Sequence, residues 1–340
     1  MSLAMLEELL IQSERFKVRP KIGLAATEPL IHPEILAFCE AIVQKGFCCQ
    51  ITTNGSSLPR LASSLVDIGV DELIISCDGP RAIHDQVRAK KGSFDRLCKG
   101  VEMLGRAKES RGKLRPIVNF SFTVTDTNYN HLVETVKTLG AMRPERILIS
   151  QLNFITREMA TLHNSRHQDD LAVTRSNLGS MEPGSFNTGT IWEQLNALRA
   201  YLATVDTYFP SVHLTPEPSS QADLERYYHQ PKDLMGGRGC TDLWRAMMVK
   251  TDGSIIPSHG RCYNFRVGSL TETDLPTIWS SERFLQFRRL LKANGGSLPA
   301  CARCCGLTSR SASERRTRGF GRLPETSDRK PAGSLQHEQL

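Results

Sequence analysis

Short apolar runs alternate with longer amphipathic stretches along the first part of the chain. The apolar runs lie at residues 22–24, 48–52, 73–77, 117–124 and 146–150. Each is followed by a polar or glycine-bearing loop, and then by apolar residues at the spacing that predicts a helix. Strands that alternate with helices form a parallel sheet, and the loops after the strands meet at one end of it. The pattern therefore predicts an α/β fold with five parallel strands.

Polar residues stand directly after the first three of these strands. Glu28 follows three small residues and precedes Pro29, Asn54 lies in a Thr-Asn-Gly turn, and Asp78 begins an Asp-Gly-Pro turn. Ligands of parallel α/β folds bind at the carboxyl ends of the strands, and small residues let a ligand approach the backbone. A single residue of this kind is more often merely solvated. The ordered set predicts that Glu28, Asn54 and Asp78 lie along one edge of the sheet, at a binding site.

The segments ATEPLIHPEI, TTNG, and SCDGP followed by HDQVR, in this order and spacing, resemble the radical S-adenosylmethionine enzymes. The resemblance covers about residues 22–151 and resumes near residue 240. It implies that Glu28 holds the amino group of the methionine part of S-adenosylmethionine. It also implies that Asn54 lines the cofactor site and that Ser76 and Asp78 lie beside the ribose.

Two features of the sequence depart from that family. Residues 26–27 are alanine and threonine, where the family usually has two glycines. The family's C-x3-C-x2-C loop, whose thiolates hold a [4Fe-4S] cluster, does not occur in the sequence. Cys39, Cys48 and Cys49 are expected to be small buried hydrophobes instead. We therefore expect a partial (β/α) TIM-like barrel missing its first strand and cluster loop. Either the true start of the protein lies upstream of Met1, or the lineage has lost the cluster.

The C-terminal cysteines form a second motif. Cys301 and Cys304 are a C-x2-C pair, and Cys240 and Cys262 flank a hairpin predicted at the Asp-Gly turn of residues 252–253. The C-x2-C spacing lets two thiolates meet one metal centre, and four thiolates hold either zinc or a [4Fe-4S] cluster. The spacing alone does not choose between these metals, and ordinary buried or free cysteines are the third interpretation.

Residues 240–307 resemble the SPASM or twitch extension found behind many radical S-adenosylmethionine domains. That resemblance favours iron, and it implies one auxiliary [4Fe-4S] cluster held by Cys240, Cys262, Cys301 and Cys304. Cys305, next to the pair, is a fifth candidate ligand. Enzymes with this extension often modify peptides or proteins.

These patterns divide the chain into four predicted parts. They are a truncated partial barrel at 1–154, a loop and bridging helices at 155–235, a small α+β cysteine-ligated cluster domain at 236–307, and a disordered basic tail at 308–340. Residues 155–187 are poor in apolar side chains and predict one long loop. We expect the two histidines in this loop, His163 and His167, to be surface residues without a role.

Composition indicates an ordinary globular protein. The chain has 340 residues, of which 39% are hydrophobic and 23% charged, and its formal net charge is +7. No apolar run is long enough to span a bilayer, and the N-terminus does not resemble a secretory signal, so a cytoplasmic protein is predicted. The arginine-rich tail is accompanied by no nucleic-acid motif, so neither nucleic acid nor membrane is an expected partner.

Two functions follow from the resemblance. The first is an enzyme that, if the catalytic cluster is supplied, cleaves S-adenosylmethionine to a 5′-deoxyadenosyl radical, which abstracts hydrogen from a peptide or small-molecule substrate. Its partners include an electron donor such as a flavodoxin or ferredoxin. The second is a non-catalytic iron–sulfur or zinc protein derived from that family, which the missing cysteine triplet supports.

Overall fold

The computed structural model describes residues 1–25, 27–167, 169–178, 182–206, 208–235, 239–258, 262 and 265–308. Nearly all of the predicted basic tail, 309–340, lies outside the described residues. No helix in the described ranges is both long enough and apolar enough to cross a membrane.

Six parallel strands form one sheet, and they lie side by side in chain order. The strands are β1 (Lys21–Leu24), β2 (Cys48–Thr53), β3 (Glu72–Ser76), β4 (Ile117–Thr123), β5 (Arg146–Ser150) and β6 (Ser211–Thr215). The first five are the predicted strands, and the parallel α/β fold class is confirmed. The predicted count of five is wrong, because β6 pairs with β5 from Arg146 opposite Ser211 to Ser150 opposite Thr215.

Helices follow the strands as the apolar spacing predicts. They are α1 (Leu3–Ser13), α2 (Ile35–Gln44), α3 (Leu58–Ile68), α4 (Arg81–Val87), α5 (Ser93–Ser110), α6 (Leu132–Gly140), α7 (Arg157–Asn164), α8 (Thr188–Leu202) and α9 (Gln221–His229). Helix α3 shows how the sequence sets these limits. Proline at its start suits the first turn, and Gly69 ends it in the left-handed conformation at φ 84°.

The two faces of the sheet differ in chemistry. On β4 the side chains of Val118, Phe120 and Phe122 are at most 9% exposed and belong to the apolar core. The alternate residues Asn119, Ser121 and Thr123 point to the opposite face, since successive side chains of a strand do so. We call this polar side the inner face of the sheet.

The segment predicted as one long loop contains regular structure. Helix α7 lies within it, and Ile155 forms a β-bridge with Ser176. The surface prediction for His163 is wrong, because this side chain is buried and its Nε2 lies 2.9 Å from the Leu171 carbonyl oxygen. The His163 ring also contacts the ring of His167.

A small antiparallel sheet follows the larger one. Its strands are β7 (Met248–Val249), β8 (Ser254–Ile256) and β9 (Gly268–Ser269), with the predicted Asp-Gly turn between β7 and β8. Three helices accompany it, namely α10 (Leu275–Trp279), α11 (Glu282–Ala293) and α12 (Cys305–Thr308). The Gln12 side chain of α1 accepts a hydrogen bond from the Leu275 backbone N–H at 2.9 Å, so the first and tenth helices are joined.

Candidate functional site

Glu28 connects the carboxyl ends of the first two strands. Its side chain is 8% exposed. Oε1 accepts hydrogen bonds from the Thr53 hydroxyl at 2.7 Å and from the Leu30 backbone N–H at 3.0 Å. Oε2 accepts one from the Asn54 backbone N–H at 2.6 Å. A carboxylate has about four acceptor positions, so these contacts fix Glu28 and leave about one position on Oε2.

Asn54 lies next to this carboxylate. Its Oδ1 accepts a hydrogen bond from the Ser56 backbone N–H at 2.8 Å, which closes a turn before α3. The structure therefore brings Glu28 and Asn54 together through a direct contact. Ser76, at the end of β3, is half-buried and lies opposite Ser121 in the sheet register.

Asp78 belongs to a separate network. Its Oδ2 accepts a hydrogen bond from Arg88 Nε at 2.5 Å and lies 3.6 Å from His84 Nδ1. Its backbone N–H donates to the same His84 nitrogen at 3.1 Å. No described residue donates a hydrogen bond to its second oxygen, Oδ1. The carboxylate is thus held by Arg88 with one oxygen remaining for a ligand.

Asn128 is a positioning residue that the sequence did not reveal. It is fully buried, and its Nδ2 donates to the carbonyl oxygens of Asp78 at 3.0 Å and Thr123 at 2.9 Å. Its Oδ1 accepts from the Thr125 backbone N–H at 2.7 Å. Asn128 therefore ties the loop after β3 to the loop after β4. An asparagine in a predicted polar loop was the only signal, and it is a common one.

The buried histidine predicts how stability depends on pH. Burial lowers the pKa of His84, Asp78 opposes this shift, and Arg88 adds to it. The unfolded chain therefore takes up a proton near the ordinary value of about 6.5, before the folded chain does. The stability that neutral His84 provides is present above that pH and is lost as the pH falls through the window below it. We therefore expect the urea concentration at the unfolding midpoint to decrease as the pH is lowered from about 7.5 to about 5.5.

Replacing His84 with glutamine distinguishes the effect of His84 on the pH dependence of stability from the effects of the other buried histidines. In His84→Gln, the amide oxygen can accept from the Asp78 backbone N–H but does not titrate. The fall in urea midpoint should therefore be smaller than in the parent chain. An identical fall in both chains would contradict this assignment and point to another group, such as His163, whose pKa is also lowered by burial.

Two glycines position the first C-terminal cysteine. A side-chain carbon on Gly296 would lie 2.2 Å from the Cα of Gly239, and Gly296 has φ 90°. The Cys240 backbone N–H donates to the Gly296 carbonyl oxygen at 2.8 Å. The two backbones cross so closely that only glycine fits at this point. The crossing fixes the start of the cysteine region against the loop that follows α11.

Four of the five C-terminal cysteines influence one another. Burial raises the pKa of Cys240 to about 11, and Cys301 adds to the rise. A side-chain hydrogen bond with Cys305, burial, and the nearby Cys301 all raise the pKa of Cys304. Cys262 is half-buried and lies between β8 and β9. Within the part of the chain that the structure describes, no three His, Cys, Asp or Glu side chains are arranged to hold a metal ion.

The chemistry of this donor set nevertheless fits a metal centre. Several thiols crowd one half-buried region, and burial and their proximity make Cys240 and Cys304 harder to ionise in the metal-free protein. A bound metal or cluster reverses that effect, because thiolates are its ligands. Sulfur ligands alone suit zinc or an iron–sulfur cluster. Placing Cys262 in this set remains a prediction.

Arg303, inside the C-x2-C turn, holds the end of another helix. Its guanidinium is fully buried, and within the described part of the chain it donates only to backbone carbonyl oxygens. The acceptors are those of Tyr227 at 2.5 Å, Asp233 at 2.6 Å, Arg226 and Gln230 at 2.7 Å, and Ala302 at 2.8 Å. Most of these carbonyls lie at the end of α9, where a cation is favourable. Burial lowers the pKa of Arg303 to about 10, so it is charged at neutral pH.

Comparison with known families agrees with these two regions. The model of the radical SAM superfamily matches residues 1–139, and the model of an iron–sulfur cluster-binding domain, SPASM, matches residues 240–305. The predicted resemblance is confirmed for both regions. So are the cofactors that it implied, S-adenosylmethionine and iron–sulfur clusters, at the level of these domains.

Two curated proteins are similar along most of the chain. One is the tungsten-containing aldehyde ferredoxin oxidoreductase cofactor-modifying protein of Pyrococcus furiosus, 22% identical over 82% of this chain and 71% of its own length. The other is the pre-heme d1 synthase of Dinoroseobacter shibae, 25% identical over 90% of this chain and 73% of its own length.

Among solved structures, SuiB of Streptococcus suis has a similar fold. It superposes with a TM-score of 0.59 at 13% identity, over 89% of this chain and 66% of the SuiB chain. SuiB has also been solved with S-adenosylmethionine and with its precursor peptide SuiA. At this level of identity the likeness shows the fold alone.

Proposed function

We propose, from the premise that this chain carries a radical SAM domain over residues 1–139 and a SPASM domain over residues 240–305, that it is a maturase-like oxidoreductase. It binds S-adenosylmethionine at the carboxyl edge of the six-stranded sheet and an auxiliary [4Fe-4S] cluster through its C-terminal cysteines. If a reduced catalytic cluster is supplied, bound S-adenosylmethionine would give a 5′-deoxyadenosyl radical that removes hydrogen from the substrate.

The observation that carries this proposal is the arrangement of Glu28. Its carboxylate is buried, held by three donors, and has about one acceptor position left at the sheet edge. A cationic amino group is a suitable donor for that position, because hydrogen bonds between charged groups are the strong ones. Glu28 would therefore orient the methionine part of the cofactor.

Other residues at this edge complete the proposed site. Asn54 would line it beside Glu28, since the two are in direct contact. Ser76 and the Oδ1 atom of Asp78 would accept from the ribose hydroxyls, while Arg88 holds the Asp78 carboxylate in place. Cys240, Cys262, Cys301 and Cys304 would hold the auxiliary cluster.

The substrate is a peptide or a small molecule. The names of the two curated relatives indicate small-molecule or cofactor chemistry, whereas SuiB binds a precursor peptide. A flavodoxin or ferredoxin would serve as the electron donor.

A second candidate function is a non-catalytic iron–sulfur or zinc protein. The observation that favours it is the lack of a C-x3-C-x2-C triplet anywhere in the 340 residues. In this case the sheet edge binds a partner or S-adenosylmethionine without turnover.

Metal content after anaerobic reconstitution tests the cluster assignment. We expect about four irons and four sulfides per chain. In Cys301→Ala/Cys304→Ala the iron should be lost, because two of the four ligands are gone. Cys98→Ala is the matched control, since this half-buried cysteine lies on α5, and it should retain the iron.

Two results of this measurement would change the proposal. Zinc without iron would contradict the auxiliary cluster and favour the zinc protein. About eight irons would show that other cysteines hold a second cluster. Incubation with S-adenosylmethionine and a strong reductant then separates enzyme from non-catalytic protein, since only the enzyme forms 5′-deoxyadenosine.

A further inference from the structure

A row of polar side chains crosses the inner face of the sheet near the amino ends of the strands. Lys21 Nζ lies 2.7 Å from Glu72 Oε2, and Asn119 Nδ2 donates to Glu72 Oε1 at 2.6 Å. Arg146 is the register partner of Asn119 on the adjacent strand. Because register partners in a parallel pair share a face, Arg146 extends this row on the same side.

Two atoms in this row have no hydrogen-bond partner among the described residues, although both are buried. One is Asn119 Oδ1 and the other is Arg146 Nε. The orientation of the Asn119 amide follows from its neighbour, since the Glu72 carboxylate can only accept and must face the Nδ2 group. Asn119, which is 1% exposed, therefore directs its acceptor away from Glu72. Buried polar atoms without partners are rare in native proteins and call for an explanation.

Among the described residues of this part of the sheet, one cation has no acidic partner. Glu72 is paired with Lys21, and its neighbour Asp71 is paired with Arg115. Arg146 forms no ion pair with any residue in the described ranges. The half-buried guanidinium of Arg146 thus adds a net positive charge to the inner face, beside the unpaired acceptor of Asn119.

The apolar core does not include these two side chains. The core side of the same strands is filled by Phe120 and Ile147, which are fully buried and apolar. The row of polar residues lies on the opposite face, where the end residues of β5 are only half-buried. An arginine on such a face that has no acidic partner among the described residues has the chemistry of an anion receptor.

We propose that Arg146 and Asn119 form an anchor for an anionic group of the substrate, a carboxylate or a phosphate. The guanidinium donates to the anionic oxygens, and its planar fork suits both groups. Asn119 Oδ1 accepts from an N–H or O–H beside the anion. This inference rests on the proposed function, and it narrows the substrate to molecules that carry such a group.

Binding of small anions to the full-length chain tests this anchor without any radical chemistry. The probes are inorganic phosphate and glycylglycine, whose carboxylate has an amide N–H beside it, and the readout is isothermal titration calorimetry. We expect at least one probe to bind the parent chain, and its affinity to fall about tenfold or more in Arg146→Met. Asn119→Ala should weaken the same probe. The stronger probe identifies the carboxylate or the phosphate as the preferred group.

Two further variants keep the result interpretable. Arg60→Met is the matched control, because Arg60 is an exposed arginine on α3, and it should bind as the parent does. Arg146→Lys retains the charge without Nε and should bind with intermediate affinity if Arg146→Met does not fold. Binding that is absent in the parent, or equal in the parent and in the folded Arg146 variants, would overturn the anchor. Neither result depends on iron content or on 5′-deoxyadenosine formation, so the anchor and the proposed function are tested by separate measurements.

Discussion

Replacing Arg303 with methionine is expected to lower the free energy of unfolding by about 4 kcal/mol. The substitution approximately keeps the volume of the side chain but removes the N–H groups that now donate hydrogen bonds to five carbonyl oxygens. A buried acceptor without a partner costs about 1–3 kcal/mol, and water can reach some of these groups once the end of α9 frays. The expected loss is therefore less than the sum of five such costs.

Urea unfolding of the metal-free chain measures this effect, because bound metal would add its own stabilisation. Arg289→Met is the matched control. Arg289 is an exposed arginine on α11 that pairs with Glu282, and its loss should leave the urea midpoint close to that of the parent chain. Arg303→Lys should be intermediate, since lysine retains the charge but cannot reach as many acceptors. If Arg303→Met unfolded at the same urea concentration as Arg289→Met, the hydrogen bonds from Arg303 to the end of α9 would contribute little to stability.

Glu28→Ala is expected to weaken S-adenosylmethionine binding by about 100-fold. The proposed contact pairs a carboxylate with a cationic amino group, and hydrogen bonds to charged groups contribute about 1.5–3 kcal/mol. The same change leaves three donors without an acceptor, so it should also destabilise the fold by about 2 kcal/mol. Equilibrium dialysis with labelled S-adenosylmethionine and urea unfolding measure the two effects separately.

Thr53→Val separates binding from structure at this site. It removes one of the three hydrogen bonds that hold Glu28 and leaves the carboxylate in place. Stability should fall by about 1 kcal/mol, while S-adenosylmethionine affinity should stay within about threefold of the parent. Equal loss of affinity in Thr53→Val and Glu28→Ala would mean that Glu28 only shapes the loop and does not contact the cofactor.

The large sheet was predictable because its strands are short, apolar and followed by helices. Strand β6 was missed for a physical reason. All five of its residues are only half-buried, and Ser211, His213 and Thr215 give it no apolar run. An edge strand pairs on one side only, so it needs less apolar surface than a central one. The strands were predicted from short runs of apolar residues, and the sequence of β6 contains no such run.

The candidate site was predictable in its positions but not in its contacts. The order of motifs placed Glu28 and Asn54 at one edge of the sheet, and the structure joins them. The pairing of Asp78 with Arg88 depends on how α4 folds back, which a polar run does not reveal. Arg303 gave no signal, because an arginine between two cysteines is normally expected at the surface.

Arg303 also links the cysteine turn to the large sheet. It lies between Cys301 and Cys304 and binds the end of α9. From that helix, the Tyr228 hydroxyl donates to Gln151 Oε1 at 2.7 Å, and the Tyr227 hydroxyl donates to the carbonyl oxygen of the residue after Gln151 at 2.9 Å. These acceptors directly follow β5, at the edge where the cofactor is proposed to bind. A shift of the cysteine turn would therefore move α9, or break the buried hydrogen bonds that connect this turn through α9 to the carboxyl edge of the large sheet.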